Sequence, residues 1–200
     1  MLLPACVRKI YYKVSLMKIR LPHAPYIARK IAIDLLNSGY VTFTEGVDIV
    51  AQKAEEILVE DLKKEMALEE RVNEILEENE DEMEFMRVDR RSMFWLVKKK
   101  LASDYDVILS YEDRFNKVAH EILDKLYDED LINYSVNENV IKNVIYSAIE
   151  EYIGNFEKIE DEVIEKIEKM QRKLIPGTEE YNVVFERLYR DELRKRGMLS

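Results

Sequence analysis

The residues best suited to chemistry in this sequence are carboxylates, and they are concentrated in one run. Across residues 55–89, acidic side chains outnumber basic ones by fifteen to four, and the densest part is residues 77–84. Carboxylate oxygens are the ligands that Mg²⁺ and Ca²⁺ prefer, so a divalent-metal-dependent enzyme using clustered carboxylates is one function to consider. The run has no Asp-rich loop with a glycine at a sharp turn. We therefore predict no particular metal ligand and no cofactor.

Two histidines are the other side chains that could act as a base or a metal ligand. His120 stands four residues before Asp124, a helical spacing at which two side chains can share a metal ion. His23 precedes Pro25 in a loop and has no serine or cysteine motif partner. No two glycines fall within one short motif, so the sequence contains no phosphate-binding loop. The sequence assigns no catalytic residue and favours a protein that is not an enzyme.

A basic stretch follows the acidic run, and the two together form the candidate interaction surface. Bases occur across residues 87–100, around Phe94 and Trp95, and again in the tail at residues 187–196. One interpretation is a solvated helix face whose acids pair with the basic helix; another is an acidic arm that attracts a basic partner. The residues assigned to the candidate surface are Glu77, Glu78, Glu80, Asp81, Glu82, Glu84, Arg90, Arg91, Lys98 and Lys99.

Charge and cysteine content narrow the classes of partner and compartment. The formal net charge is −10, whereas nucleic-acid binders need cationic surface to release counterions. A nucleic-acid-associated protein using residues 87–100 and the basic tail is therefore an alternative. The leading hypothesis is an acidic helical scaffold that binds a protein partner or forms a homodimer. The single cysteine, Cys6, favours a cytoplasmic location, and no apolar stretch is long enough to predict a membrane span.

The elements that position these residues are predicted to be helices. Charged residues make up 36% of the chain, and there are only five glycines and four prolines, a composition that favours helices over strands. Thr44, Ser110 and Thr178 are placed to cap helices, and Gly39 is placed to end one. Residues 40–43 alternate and are β-prone, but so short a segment predicts a connector rather than a sheet.

The order of the predicted elements repeats along the chain. Residues 30–32 match residues 117–119 at an offset of 87, and after an insertion the offset becomes 91, which places Thr44 on Ser135 and Val72 on Val163. Helix caps and apolar positions coincide, which indicates an internal duplication. Leu62 and Leu68 are assigned to separate helices, and Gly154 is expected to interrupt the corresponding helix of the second half.

We therefore predict an all-α fold of two tandem, internally repeated four-helix units packed together. The first repeat covers residues 17–103, the joint residues 104–110 and the second repeat residues 111–200. Residues 1–16 are predicted to be an N-terminal over-extension that is poorly ordered.

Both ends of the repeated region resemble a known family. Residues 21–28, which read Leu-Pro-His-Ala-Pro-Tyr-Ile-Ala, and the helix after them resemble the N-terminal part of the bacterial domain-of-unknown-function 507 family. Residues 175–181 resemble its C-terminal signature, with Glu179 where the family usually has Pro and Tyr181 where it usually has Trp. The resemblance extends over residues 17–200. It implies no activity, cofactor or catalytic residue, so the functional hypotheses rest on the residues alone.

Overall fold

The computed structural model describes residues 19–170, 172–176 and 178–197 of the chain. Within these residues the chain is predominantly helical, which confirms the predicted all-α class. The helices, in chain order, are α1 Ala24–Asn37, α2 Val47–Glu78, α3 Glu80–Phe85, α4 Arg90–Leu101, α5 Tyr111–Asp128, α6 Glu138–Glu168 and α7 Glu179–Lys195. Short 3-10 turns at Leu21–His23 and Ala102–Tyr105 precede α1 and follow α4. The predicted over-extension at residues 1–16 lies outside the described residues.

The helix α2 is continuous where the sequence predicted two helices. Its buried positions follow one another at intervals of three or four residues, so a single face is buried along its whole length. These positions are Val50, Ala54, Leu58, Leu62, Glu65, Leu68, Val72 and Leu76. The prediction of a break after Leu62 was wrong because the next core position is an acid, Glu65, which interrupts the apolar pattern without interrupting the helix.

The helix α6 is also continuous, although Gly154 was predicted to interrupt it. A glycine inside a helix costs only about 1 kcal/mol relative to alanine. The buried side chains of Ile149 and Ile159 continue the apolar face on either side of it. The predicted division of each of these segments into two helices was therefore wrong. Among the described residues, the range 17–103 contains four helices because α3 is separate from α2, and the range 111–200 contains three.

The β-prone connectors form a small antiparallel sheet. Strand β1 (Val41–Phe43) pairs with β2 (Ile132–Tyr134), and Thr42 lies opposite Asn133 at the centre of the register. Each segment supplies the hydrogen-bonding edge that the other lacks, which is why the prediction of isolated connectors was wrong. Thr42 and Asn133 are separated by the predicted offset of 91. The strand register is therefore centred on two residues that the offset makes equivalent, as it would be at a two-fold axis. The internal repeat itself stays a prediction.

Local capping follows the sequence in most places. Ser110 and Thr178 accept hydrogen bonds from the backbone N–H groups of Asp113 and Tyr181, as predicted. Gly39 has the expected positive φ, 72°, after the end of α1. Thr44 does not cap α2, which begins after Gly46. Its hydroxyl instead donates to the backbone carbonyl oxygen of Asp130, so Thr44 extends the contact between the strand segments.

The described residues divide into two compact units. The central unit is Ala28–Tyr146; the terminal unit combines the described residues up to Ile27 with those from Ser147 onward. In the central unit α2 packs against α4 and α5, around an apolar core that includes Leu68 and Val72. These units are not consecutive halves of the chain, whereas the predicted repeats are, so the tandem boundaries stay a prediction.

Candidate functional site: a buried ion network and a charged exposed segment

The core of the central unit contains five charged side chains, which we call the ion network. They are Asp61, Glu65 and Glu69 of α2, Lys98 of α4 and Arg114 of α5. Lys98 Nζ lies 2.8 Å from Glu65 Oε1 and 2.7 Å from Glu69 Oε1. Only 4% of Lys98 and 4% of Glu65 is exposed to solvent. The network therefore joins α4 to α2 through a salt bridge that is shielded from water.

Arg114 completes the network from the third helix. Its Nη1 lies 2.6 Å from Glu65 Oε2, and its Nη2 lies 2.6 Å from Asp61 Oδ2. Its Nε also donates to Asp61 Oδ2, at 2.8 Å. The planar guanidinium group thus binds two carboxylates at once, a geometry that lysine cannot reproduce.

The surroundings of Glu65 and Lys98 favour the charged form of each side chain. Burial alone would raise the pKa of Glu65, but Arg114 and Lys98 outweigh it and hold this pKa at about 2. Burial would lower the pKa of Lys98, but Glu65 and Glu69 outweigh it and raise the pKa. A protonated lysine has no lone pair with which to attack a substrate. The geometry therefore supports a structural tie between helices rather than a nucleophile or a base.

The ion network changes the interpretation of the candidate surface. Lys98 was predicted to lie on that surface, but it is buried and paired with the acids of α2. This part of the prediction was wrong because Lys98 faces α2, where only a carboxylate partner offsets the cost of burying its charge. The other nine residues assigned to the surface are exposed.

Large apolar side chains are exposed within the same segment. We call residues 77–100, without the buried side chains Met83 and Lys98, the charged segment. Phe85 ends α3 and is 88% exposed, and Leu96 on α4 is 63% exposed. Met86 and Trp95 are exposed as well. Val88 is also exposed. Single exposed apolar residues are common, but five within twelve residues mark a candidate interaction surface.

The acids and bases of the charged segment pair with each other only loosely. Arg90 Nη2 lies 4.0 Å from Glu77 Oε1, and Arg90 Nη1 lies 3.9 Å from Glu80 Oε1. Exposed pairs at such distances contribute little to stability. Asp81, Glu82 and Glu84 make no ion pair with any residue in the part of the chain that the structure describes. The interpretation as a face of paired charges therefore applies to Lys98 and only weakly to Arg90.

The bases invoked for nucleic-acid binding are partly engaged with carboxylates. Besides Lys98, two bases of the tail have acidic partners: Lys195 Nζ lies 2.8 Å from Glu192 Oε1, and Arg196 Nη2 lies 2.6 Å from Glu162 Oε2. Charges paired in this way attract phosphate less strongly than free ones. The structure thus provides no specific feature that favours the nucleic-acid alternative.

His120, considered from the sequence as a metal ligand together with Asp124, belongs to no group of three or more possible ligands among the described residues. Its Nδ1 lies 3.8 Å from Glu138 Oε1, and its side chain is partly exposed. Among the described residues, no group of three or more histidine, cysteine, aspartate or glutamate side chains is arranged to hold a metal ion.

His23 lies in an aromatic cluster of the terminal unit, which we define as His23, Tyr152, Phe156 and Tyr189. The His23 ring stacks on Phe156 with 4.2 Å between centroids, and Tyr152 meets Phe156 edge-on at 4.5 Å. Burial, assisted by the charge of Arg20, lowers the pKa of His23 to about 4. His23 is therefore a neutral core residue, and it accepts a hydrogen bond from the Arg20 backbone N–H at 3.3 Å.

Sequence reasoning missed the ion network and the exposed Phe85. The available signal was Glu65, an acid at the one position of α2 where the apolar spacing required a core residue. Arg114 gave a second signal, because the offset of 87 places it on Ile27, a buried apolar residue. No comparable signal marked Phe85, since α3 is too short to have a periodic face.

Comparison with models of protein families assigns this chain to a family. In the part of the chain that the structure describes, no helix is long and apolar enough to cross a membrane. A search of curated proteins finds no match. The model of the family described as "Protein of unknown function (DUF507)" matches residues 17–198, nearly the whole chain. The chain therefore belongs to the DUF507 family, as its two terminal signatures predicted.

Proposed function

We propose that this protein is a non-enzymatic interaction protein whose docking surface is the charged segment. The partner is a protein segment that carries basic side chains around an apolar anchor. The single observation that carries the proposal is Phe85, an aromatic side chain left 88% exposed beside a run of acids. Leaving so large an apolar side chain in water has a cost that a bound partner would remove.

The composition of the segment supports a basic partner. Glu80, Asp81, Glu82 and Glu84 surround the exposed end of α3, and all are solvent-exposed. Aromatic residues enriched at interface centres supply much of the affinity, while charged rims steer the encounter and select the sign of the partner. The acids would therefore select a basic segment, and Phe85 would anchor it.

The ion network supports the proposal by fixing the helix that carries half of the surface. Lys98 on α4 is tied to Glu65 and Glu69, and Leu96 and Lys99 lie on the exposed side of the same helix. A surface held by a buried tie loses little conformational entropy when it binds. The charged segment is thus preorganised on its α4 side.

We further propose that the protein acts in the cytoplasm. The proposal rests on the single cysteine of the chain, which suits a reducing compartment.

The docking proposal is tested with a defined probe, a synthetic amphipathic peptide that has lysines on one face and leucine with tryptophan on the other. We expect Phe85→Ala to weaken its binding by about thirtyfold, the loss typical of an interface hot spot. Glu82→Gln with Glu84→Gln should weaken it less and should reduce its sensitivity to salt. Titration calorimetry of the intact protein measures both effects.

Two matched controls locate the binding on the molecule. Leu36→Ala truncates an exposed leucine on α1, and Asp124→Asn with Asp128→Asn neutralises two exposed acids of α5. Both should leave peptide binding unchanged. Equal weakening by the control and test variants, or equal binding of a peptide with glutamate in place of lysine, would refute the proposed surface.

A further inference from the structure

We infer that the partner accommodated by the charged segment is a second copy of this chain. This inference rests on the proposed function and identifies its partner. A partner for the acidic end of α3 must be basic and must carry an apolar anchor. The exposed side of α4 has both properties, which makes the charged segment complementary to itself.

The residues of α4 fit the requirement through their helical spacing. Arg91, Trp95 and Lys99 follow one another at intervals of four residues, and Leu96 lies beside them, so they share one face of the helix. All four are exposed. The face therefore presents an apolar pair, Trp95 and Leu96, between basic residues at either end.

A two-fold dimer satisfies this complementarity twice. In an isologous interface, a contact of one residue with a second is repeated with the two copies exchanged. The acids around Phe85 of one copy would meet the bases around Leu96 of the other, and the reverse. Phe85 and Leu96, the two most exposed apolar side chains in the charged segment, would then be covered together.

The alternative for these charges is pairing within one copy, and the pairing of Arg90 within its own copy is weak. Arg90 reaches Glu77 and Glu80 at no less than 3.9 Å. Glu82 and Glu84 make no ion pair with a described residue, and the same holds for Lys99 and Lys100. These four side chains can therefore enter contacts with a second copy without breaking an ion pair in the first.

A charge-swap experiment tests the inference in the intact protein. Variant one carries Glu82→Lys and Glu84→Lys, and variant two carries Lys99→Glu and Lys100→Glu. We expect the unaltered protein to dimerise in sedimentation equilibrium and each variant to dimerise at least about tenfold more weakly. An equimolar mixture of the two variants should form a heterodimer with affinity close to that of the unaltered protein, because one acid–base contact keeps its original sign and the other is restored with its sign reversed.

Control measurements separate loss of association from loss of folding. Thermal unfolding followed by circular dichroism must be similar for both variants, and Asp124→Lys with Asp128→Lys should leave dimerisation unchanged. Recovery in the mixture is also a test of folding, because a misfolded variant cannot restore binding.

The possible results distinguish this inference from the proposed function. A chain that stays monomeric at all concentrations but binds the basic peptide overturns the second copy as partner and leaves the proposed function standing. A chain that neither self-associates nor binds the peptide overturns both. If neither variant weakens dimerisation, or if the equimolar mixture does not regain the affinity of the unaltered protein, the dimer contact lies elsewhere. Either result overturns the inference.

Discussion

The two units of this protein have cores of different chemistry. The central unit has the ion network, in which Glu65 is 4% exposed between Lys98 and Arg114. The terminal unit has the aromatic cluster, in which Phe156 is 7% exposed among His23, Tyr152 and Tyr189. Both arrangements join helices that are far apart in sequence, one through charge and the other through ring contacts.

The predicted repeat makes this contrast a position-by-position comparison. Two sequence offsets relate members of the ion network to buried residues of the terminal unit. The offset of 91 is extended to α4 and α7, and the offset of 87 applies to α1 and α5, the first helix of each predicted repeat. The related pairs are Asp61 with Tyr152, Glu65 with Phe156, Lys98 with Tyr189, and Arg114 with Ile27. Under the proposed duplication, one set of core positions has therefore been filled in two ways.

The comparison teaches that the ion network is not required to stabilise such a unit. The cost of removing charges from water often equals or exceeds the attraction between them, and apolar residues of similar volume often serve as well. A network of this kind instead restricts how its helices can pack, because each charge tolerates only positions that provide a partner. In the central unit this restriction acts on α4, the helix that carries part of the proposed docking surface.

The largest expected effect comes from breaking the network at its most connected cation. Arg114→Met removes the guanidinium and leaves the buried Glu65 and the partly buried Asp61 with too little positive charge, so we expect the free energy of unfolding to fall by about 3–5 kcal/mol. Urea unfolding followed by fluorescence of Trp95, which lies in the central unit, measures this loss. Arg71→Met, which removes an exposed partner of Glu74, should cost less than about 1 kcal/mol. Equal costs for the two variants would show that the network has no special role.

Lowering the pH should destabilise the ion network and the aromatic cluster in different pH ranges. The pKa of Glu65 falls from 4.5 to about 2 on folding, so its contribution is complete above pH 4.5 and is lost as the pH falls towards 2. The pKa of His23 falls from 6.5 to about 4, so the terminal unit should lose stability earlier, between pH 6.5 and 4. Each shift corresponds to stability on the order of 3 kcal/mol.

Hydrogen exchange measured separately for peptides of each unit tests these pH ranges. Protection factors, which correct the exchange rate for its intrinsic dependence on pH, should fall first in the terminal unit as the pH falls below 6.5. His23→Gln, which cannot titrate but retains an acceptor, should remove that first phase and leave the later one in place. A single phase common to both units would contradict the comparison.

A smaller effect is expected when the network is converted to its apolar counterpart. The variant carries Asp61→Tyr, Glu65→Phe, Lys98→Tyr and Arg114→Ile. Because well-packed apolar sets often replace buried ion pairs without loss, we expect unchanged stability or a gain of about 1–4 kcal/mol. Thermal and urea unfolding measure the change. A folded protein that is clearly less stable than one carrying Arg114→Met alone would refute the correspondence between the two sets of positions.

The smallest expected effect tests whether the burial of an ion pair or the distance between its charges determines its contribution to stability. The ion pairs Arg196–Glu162 and Arg114–Glu65 have the same separation, 2.6 Å, but only the second is buried. Arg196→Met should therefore lower the free energy of unfolding by less than about 1 kcal/mol. A cost similar to that of Arg114→Met, in the same denaturation experiment, would mean that distance rather than burial determines the contribution of these pairs.

The parts of the fold that depend on local sequence could be predicted. Ser110 and Thr178 cap helices because the capping hydrogen bond spans only three residues. Regular apolar spacing identified the helical segments, although it divided each of the long helices α2 and α6 into two. The ion network could not be predicted in this way, because Arg114 and Glu65 are 49 residues apart and meet only when α2 and α5 pack. The break predicted after Leu62 had the same cause, because Glu65 does not match the apolar pattern of a core position unless its cationic partners are known.

The solvent exposure of part of the candidate surface could be predicted from the sequence. A run of like charges cannot be buried without partners, so the exposure of the acidic side chains in residues 77–84 followed from composition. Lys98 was misplaced because nothing in the sequence separates a buried lysine from its exposed neighbours Lys99 and Lys100. The exposure of Phe85 could not be predicted, because an aromatic residue at the end of a short helix is normally expected to pack.

The most direct test of the account compares binding of the basic amphipathic peptide by two variants of the intact protein. The first carries Phe85→Ala and Leu96→Ala on the charged segment, and the second carries the four substitutions that convert the ion network to apolar residues. If function lies on the exposed segment and the network acts only by holding α4, the first variant should lose at least about thirtyfold in affinity. The second, in which packed apolar residues hold α4 instead, should lose much less. Full binding by the first variant, with loss of binding by a folded second variant, would contradict the account and place the function in the ion network.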